Sequence, residues 1–192
     1  MRSRLKLSYF LGLVFFFVVM ILAPLIANAR PLVANQDIKI GYSEAAFTAL
    51  LSKEVKPLAQ AYGIKPSVLM GQVILETNHG KTLLASRYHN LLTLPARPGQ
   101  ASVFLRRHKD STRQEAFAVY QNRDAALRDY LLSLRLGKGD NKKLYQHLAR
   151  EKNYKKAANA LQTYRYPEDT TYANRLIQVI ESEGLTRYDS KN

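Results

Sequence analysis

Residues Leu7 to Ile26 read LSYFLGLVFFFVVMILAPLI, a run of apolar side chains without a single charge. A helix that is apolar on every side has no face to turn to water, so this stretch cannot be a surface element of a soluble domain. Three cations (Arg2, Arg4 and Lys6) precede it, and no acidic residue occurs before residue 30. Ala27-Asn28-Ala29 follows, with small residues at the −3 and −1 positions of a cut after Ala29. A basic stub, an apolar run and a small-residue cleavage site, in that order, are the marks of an export signal. The competing reading is an uncut membrane anchor through residues 7–26, because the run is nearly long enough to span a bilayer. Pro24 would interrupt a spanning helix near its end, which favours cutting. Under either reading the basic stub stays inside and the body lies outside the cytoplasm. The expected location is therefore periplasmic or secreted, with the inner membrane as the site of an anchored form.

Any packed domain must come from the remaining 163 residues. Three of the 29 Lys and Arg residues lie in the leader, so the body keeps 26 cations against all 15 Asp and Glu. That balance excludes an acidic disordered protein and predicts attraction to an anionic cell-envelope surface. A sequence pI near 10 also raises nucleic acid as a partner, but the export signal and the lack of any recognition motif argue against it. The chain has no cysteine, which excludes disulfides, thiol nucleophiles and thiolate-bound metals. Its four histidines show no i,i+4 pairing and no H-E-x-x-H pattern, and no Gly-rich phosphate loop occurs. No metal and no cofactor are expected.

Residues 30–41 (RPLVANQDIKIG) lack periodicity and read as a linker, followed by one domain over residues 42–190. Ser43 and Glu44 open a helix as cap and first-turn acid; Pro57 threatens to kink or divide it. A second helix runs from Pro66 to about Asn78 and stops at Gly80. Further helical stretches fall at Asp124–Leu136, Lys142–Arg150, Tyr154–Leu161 and Thr170–Glu183. Ala101–Arg107 and Glu115–Tyr120 alternate or carry β-formers around a polar centre and read as a β-hairpin. The expected fold is mainly α with one small hairpin.

Most acidic residues sit where the polar face or the cap of a helix would place them. Glu76 does not. At 100° per residue it shares a face with Leu69, Gln72 and Val73, so a carboxyl group projects from a stripe that should turn inward. It also lies in the last turn, where the helix dipole opposes negative charge. Burial and the dipole both favour a protonated carboxyl, the state a general acid needs. Gln72, one turn earlier, would orient or satisfy that group. The plain alternative is a Glu whose methylenes pack while its head reaches water.

Four blocks carry a resemblance. Gly71-Gln72-Val73-Ile74-Leu75-Glu76-Thr77-Asn78-His79-Gly80-Lys81-Thr82 resembles the A-Q-A-x-L-E-S-G-W-G-K-S segment of the bacterial glucosaminidase family, glycoside hydrolase family 73 with the related Bax-type proteins. His89-Asn90-Leu91-Leu92 is similar to its N-N-L-F and Phe117-Ala118-Val119-Tyr120 to its F-R-x-Y. Residues 165–173, beginning Arg165-Tyr166-Pro167-Glu168-Asp169, resemble G-Y-A-T-D-P-x-Y-A. The blocks keep the family's order over about Ser43 to Asp189. The resemblance implies a lysozyme-like helical fold, peptidoglycan glycan strands as partner, and cleavage of the β-1,4 bond after N-acetylglucosamine. It puts Glu76 at the general-acid position and Tyr166 at that of an active-site tyrosine. Asn90 would be a loop hydrogen-bonder near the acid, and His79 would stand at the edge of the sugar site.

The departures matter. His79 stands where the family has a Trp, so a stacking surface for sugar is lost or replaced. Thr93 stands where a Gly usually follows the N-L-F stretch. The hairpin strand that often brings a second carboxylate is Val103-Phe104-Leu105-Arg106-Arg107-His108, without an acid. Glu168 is the preferred second carboxylate, ahead of Glu115. These departures keep two alternatives open: a lytic transglycosylase, which needs one acid, and an inactive wall-binding protein of the same fold.

Overall fold

The computed structural model describes residues 7–27 and 32–189; side chains are described throughout except at residues 24–27. The chain divides into two units, Met1–Leu32 and Val33–Asn192. The first holds α1 (Leu7–Ala27), the helix formed by the apolar run. Residues 28 and 29 of the expected cleavage motif, and the basic stub, lie outside the described residues. The fully described part of α1, residues 7–23, measures about 26 Å at 1.5 Å per residue. Among the described residues no helix is long and apolar enough to cross a membrane.

The second unit contains seven α-helices, a two-stranded sheet and a closing 3₁₀ turn among the described residues: α2 (Glu44–Ala61), α3 (Pro66–Thr77), α4 (Leu83–Tyr88), β1 (Ser102–Arg106), β2 (Gln114–Ala118), α5 (Arg123–Leu136), α6 (Asp140–Arg150), α7 (Tyr154–Arg165), α8 (Tyr172–Ser182) and the turn Leu185–Tyr188. It is the mainly helical architecture with one small hairpin that the sequence predicts. The strands pair antiparallel from Ser102 opposite Ala118 to Arg106 opposite Gln114. Pro57 does not divide α2, which runs unbroken to Ala61. The short helix α4, capped by the Thr82 hydroxyl on the Ala85 N–H, has no counterpart in the sequence reading.

Helix α3 is the axis of the core. Every residue from Pro66 to Ile74 is buried, and the helix packs against α2, α8 and the C-terminal turn. Gly71 permits that closeness, since a Cβ there would lie 2.8 Å from Ile180 Cγ1. The N-terminus of α3 has no side-chain cap of its own. Asp189 supplies one from the far end of the chain, accepting from the Ser67 N–H and the Ser67 hydroxyl, both at 2.8 Å. The C-terminus is closed by three consecutive left-handed residues, Asn78, His79 and Gly80. Gly80 is required there: its φ is 77° and a Cβ would meet the Phe47 ring at 2.5 Å.

Residues 33–38, part of the stretch expected as a linker, are tied to the body by backbone hydrogen bonds. Ala34 donates to Arg106 and accepts from Leu84, Gln36 accepts from Leu83, and Ile38 donates to Lys81, all through backbone groups. Ala34 is buried with Leu83, Leu84, Leu105 and Phe117 in a small second core. Its apolar neighbours are too few and too irregularly spaced to show as a periodic pattern. This strap ties α4 to the hairpin and forms one side of the cleft described next.

Candidate active site

Glu76 occupies the last turn of α3, so its backbone is fixed by a buried helix while its side chain, half-buried, reaches the surface of the unit. It opens into a cleft of about 720 Å³ that is also lined by Asp37, Thr93, Arg107, Arg165, Tyr166 and Glu168. Clefts of this size are typical of small-ligand sites, which run roughly 300–1,000 Å³. The walls come from the strap, the end of α3, the loop after α4, the hairpin, and the α7–α8 connection. Glu76 makes one hydrogen bond among the described residues: the Thr93 hydroxyl donates to Oε2 at 3.3 Å.

Behind the carboxyl lies a polar network inside the helical core. The Tyr166 hydroxyl accepts from Gln72 Nε2 at 3.3 Å and from Arg165 Nε at 3.2 Å. The Tyr130 hydroxyl donates to Gln72 Oε1 at 3.0 Å. The Arg165 guanidinium lies over the Tyr130 and Tyr166 rings, 4.9 and 5.6 Å from their centroids, and donates to the Leu92 carbonyl at 3.2 Å. Tyr166 stacks on Tyr172 with centroids 3.8 Å apart. Burial, and next the Glu76 charge, push the Tyr166 phenol well above its ordinary range. Burial also raises the Tyr130 phenol and pushes that of Tyr172 well above its ordinary range. Burial opposes the Arg165 charge, but the surrounding Tyr130, Tyr166 and Glu76 outweigh it and hold the guanidinium protonated.

The other expected site residues divide. Glu168 lines the cleft, is exposed, and has no ion pair or hydrogen bond among the described residues. Glu115 is occupied by Arg107, which donates to it from Nε and Nη2; that pairing, above all the hydrogen bond, holds its carboxyl below the usual range. Gln72 is 1% exposed and spends its amide on Tyr130 and Tyr166, so it supports the tyrosine rather than lining the cleft. Asn90 lines the cleft, and its amide makes three internal hydrogen bonds. It donates to the carbonyls of Leu94 and Ala118 at 2.8 and 2.9 Å and accepts from the Leu94 N–H at 2.9 Å. His79 is not among the lining residues. Its ring sits edge-on to Phe47 with Nε2 3.2 Å from Glu183 Oε1, because the left-handed turn after α3 carries it away from Glu76. Neither His79 nor Gln72 is among the residues that line the cleft.

Sequence reasoning did not single out Arg165, Asp37 or Tyr172. Asp37 reaches the cleft on the strap and accepts from Asn78 Nδ2 at 2.7 Å. The Tyr172 hydroxyl is buried and lacks a partner among the described residues. Only Arg165 and Tyr172 carried a signal, since both lie in the tyrosine block. No group of three or more His, Cys, Asp or Glu able to hold a metal occurs among the described residues.

A helical body with a carboxyl at the end of its central helix, opening beside a hairpin into a tyrosine-walled cleft, has the make-up of a lysozyme-like glycoside hydrolase. Residues 52–185 match the sequence model of the glucosaminidase family, described as mannosyl-glycoprotein endo-beta-N-acetylglucosaminidase. The chain belongs to that family and is a glycoside hydrolase. Among curated relatives, exo-glucosaminidase LytG of Bacillus subtilis is 28% identical over 199 residues, covering 100% of this chain and 71% of that protein. A "Probable N-acetylmuramidase" of Lactococcus lactis subsp. cremoris is 31% identical over 155 residues, covering 77% of this chain but only 35% of its own length. The chain thus spans about a third of that relative. Among solved structures, the catalytic domain of the autolysin Auto from Listeria monocytogenes superposes with a TM-score of 0.64 at 24% identity, covering 98% of this chain and 100% of that one. The glycoside hydrolase domain of FlgJ from Salmonella typhimurium gives 0.60 at 21% identity, covering 76% and 91%. At these identities the structural likeness is one of fold.

Proposed function

We infer that this protein is an exported peptidoglycan hydrolase that cuts the β-1,4 bond after N-acetylglucosamine, with Glu76 as general acid. The observation that carries the reading is that the Glu76 carboxyl and the Tyr166 wall face one cleft. In the reaction, Glu76 gives its proton to the glycosidic oxygen as the C1–O bond breaks and an oxocarbenium-like centre develops. Water then attacks C1 and loses a proton to a second carboxylate. Glu168, exposed and unpaired among the described residues at the cleft, is the preferred base, while Glu115 is neutralised by Arg107. Tyr166 stays protonated and serves to place the acetamido group or the water. Peptidoglycan lies outside the cytoplasmic membrane, so the apolar leader serves this function as a cut export signal. The cationic excess concentrates the protein at the anionic envelope.

The pairing of Glu115 favours one second reading, a lytic transglycosylase that uses a single acid. Both readings meet the same experiment. The full chain, purified in mild detergent, is compared with Glu76→Gln on isolated peptidoglycan, and the released fragments are weighed by mass spectrometry. The expected products end in reducing N-acetylglucosamine, with activity lowered about a thousandfold or more in the variant, the scale of losing a general acid together with its charge stabilisation. A 1,6-anhydro end assigns the transglycosylase reading, a reducing N-acetylmuramic acid end moves the cut to the other bond, and equal activity in both proteins ends the enzymatic role of Glu76. Fragment length separates cutting at chain ends, as the name of the Bacillus relative describes, from cutting within strands.

A further inference from the structure

Thr93 combines two features that the general-acid role of Glu76 does not itself require. Its backbone has φ 52°, in the left-handed region, where a β-branched residue is an outlier and a glycine would sit without strain. Its hydroxyl, in the cleft wall, donates to Glu76 Oε2 at 3.3 Å. The strained backbone is held from both sides. Arg165 Nη2 donates to the carbonyl of Leu92, the residue before it, at 3.2 Å. The Asn90 amide grips Leu94, the residue after it, donating to its carbonyl and accepting from its N–H. Strain of this kind persists only where neighbours over-determine it, and it gathers at sites of function.

We propose that Thr93 is the positioning residue of the acid, holding Glu76 by Oε2 so that the transferable proton sits on Oε1. The proposal rests on the reading of Glu76 as the general acid. In a protonated carboxyl the carbonyl oxygen is the better acceptor, so a hydroxyl donating to Oε2 leaves the proton on Oε1. During the step the Oε1–H bond breaks, the proton joins the glycosidic oxygen, and the negative charge stays on the carboxylate. The Thr93 hydrogen bond then becomes charge-assisted and strengthens. An interaction stronger in the transition state than in the ground state acts on kcat and leaves KM alone.

The test uses the full chain carrying Thr93→Val, Thr93→Ser or Thr93→Gly on isolated peptidoglycan across a pH series, with a thermal melt of each. Thr93→Val lowers kcat about tenfold, the scale of a hydrogen bond to a developing charge, and KM stays unchanged. Thr93→Ser restores kcat. Thr93→Gly shows the same loss of kcat with a Tm no lower than that of the parent, which separates positioning from folding. Wild-type kcat in Thr93→Val and Thr93→Gly overturns the proposal, as does an effect confined to KM or a Thr93→Ser as slow as the valine variant. Activity retained by Glu76→Gln removes the general-acid reading instead. An inactive Glu76→Gln beside a fully active Thr93→Val removes only the role of Thr93.

Discussion

Tyr166 shows how much of one residue's role is decided by its partners. Its oxygen accepts two hydrogen bonds, from Gln72 and Arg165, so its own proton is free to donate toward the cleft. Replacing it by Phe strands two largely enclosed donors, at about 1–3 kcal/mol for an unsatisfied group, and removes the donor. We expect Tyr166→Phe to lower kcat/KM at least about tenfold and to lower Tm, read by steady-state rates and a thermal melt. The phenol's ionisation is raised by burial. The wild-type site therefore keeps its donor protonated below the ordinary tyrosine pKa of about 10, and the stability it lends is lost only as pH climbs beyond that. No alkaline limb of the wild-type profile in the neutral range should disappear in Tyr166→Phe. Glu76 and Tyr166 can be singled out from sequence because each stands at a fixed place in a motif, and the structure brings both to one cleft. The directions of His79 and Gln72 were not legible, since adjacency along a chain does not give the direction of a side chain across a left-handed turn or into a packed core.

At the scale of elements, α3 does the most to place the acid. Its strongly apolar sequence, Pro66 at the first position and the Asn78–Gly80 stop made it readable in advance. Its N-terminal cap was not. Asp189 accepts from Ser67 and pairs with Lys65 at 3.2 Å, contacts 122 and 124 residues apart along the chain. Asp189→Ala should cost about 1–3 kcal/mol, the range of a lost cap with a stranded buried hydroxyl. Chemical denaturation would measure it, and activity at low temperature should persist because the site end of α3 is untouched. The hairpin and the helices α5 to α8 followed their patterns closely, with shifts of a few residues at their ends. Helix α4 escaped because six residues are too few to display a period.

For the whole molecule, the strap joins the second core, the hairpin and the cleft. Residues 33–38 close the second core and bring Asn35 and Asp37 to the cleft. A chain beginning at residue 42 should melt below one beginning at residue 32 by about 5 °C or more, since several kcal/mol are lost at roughly 2–4 °C each in a domain of this size. Differential scanning calorimetry of the two, with rates on peptidoglycan, checks this; equal melts would return residues 33–38 to the status of a linker.

What the amino-acid order determined alone was whatever depends on neighbours in the chain: the charge-free leader, the helix periods, the hairpin, and a carboxyl in the last turn of an apolar helix. Tertiary structure alone decided which of the candidate groups meet. It tied Glu115 to Arg107, turned His79 from the cleft, bound Asn90 to Leu94 and to Ala118 of β2, and set Thr93 and Arg165 around the acid. Those outcomes depend on side-chain directions and on loop and hairpin geometry, and for Arg165 on packing across 73 residues, none of which leaves a local period to read.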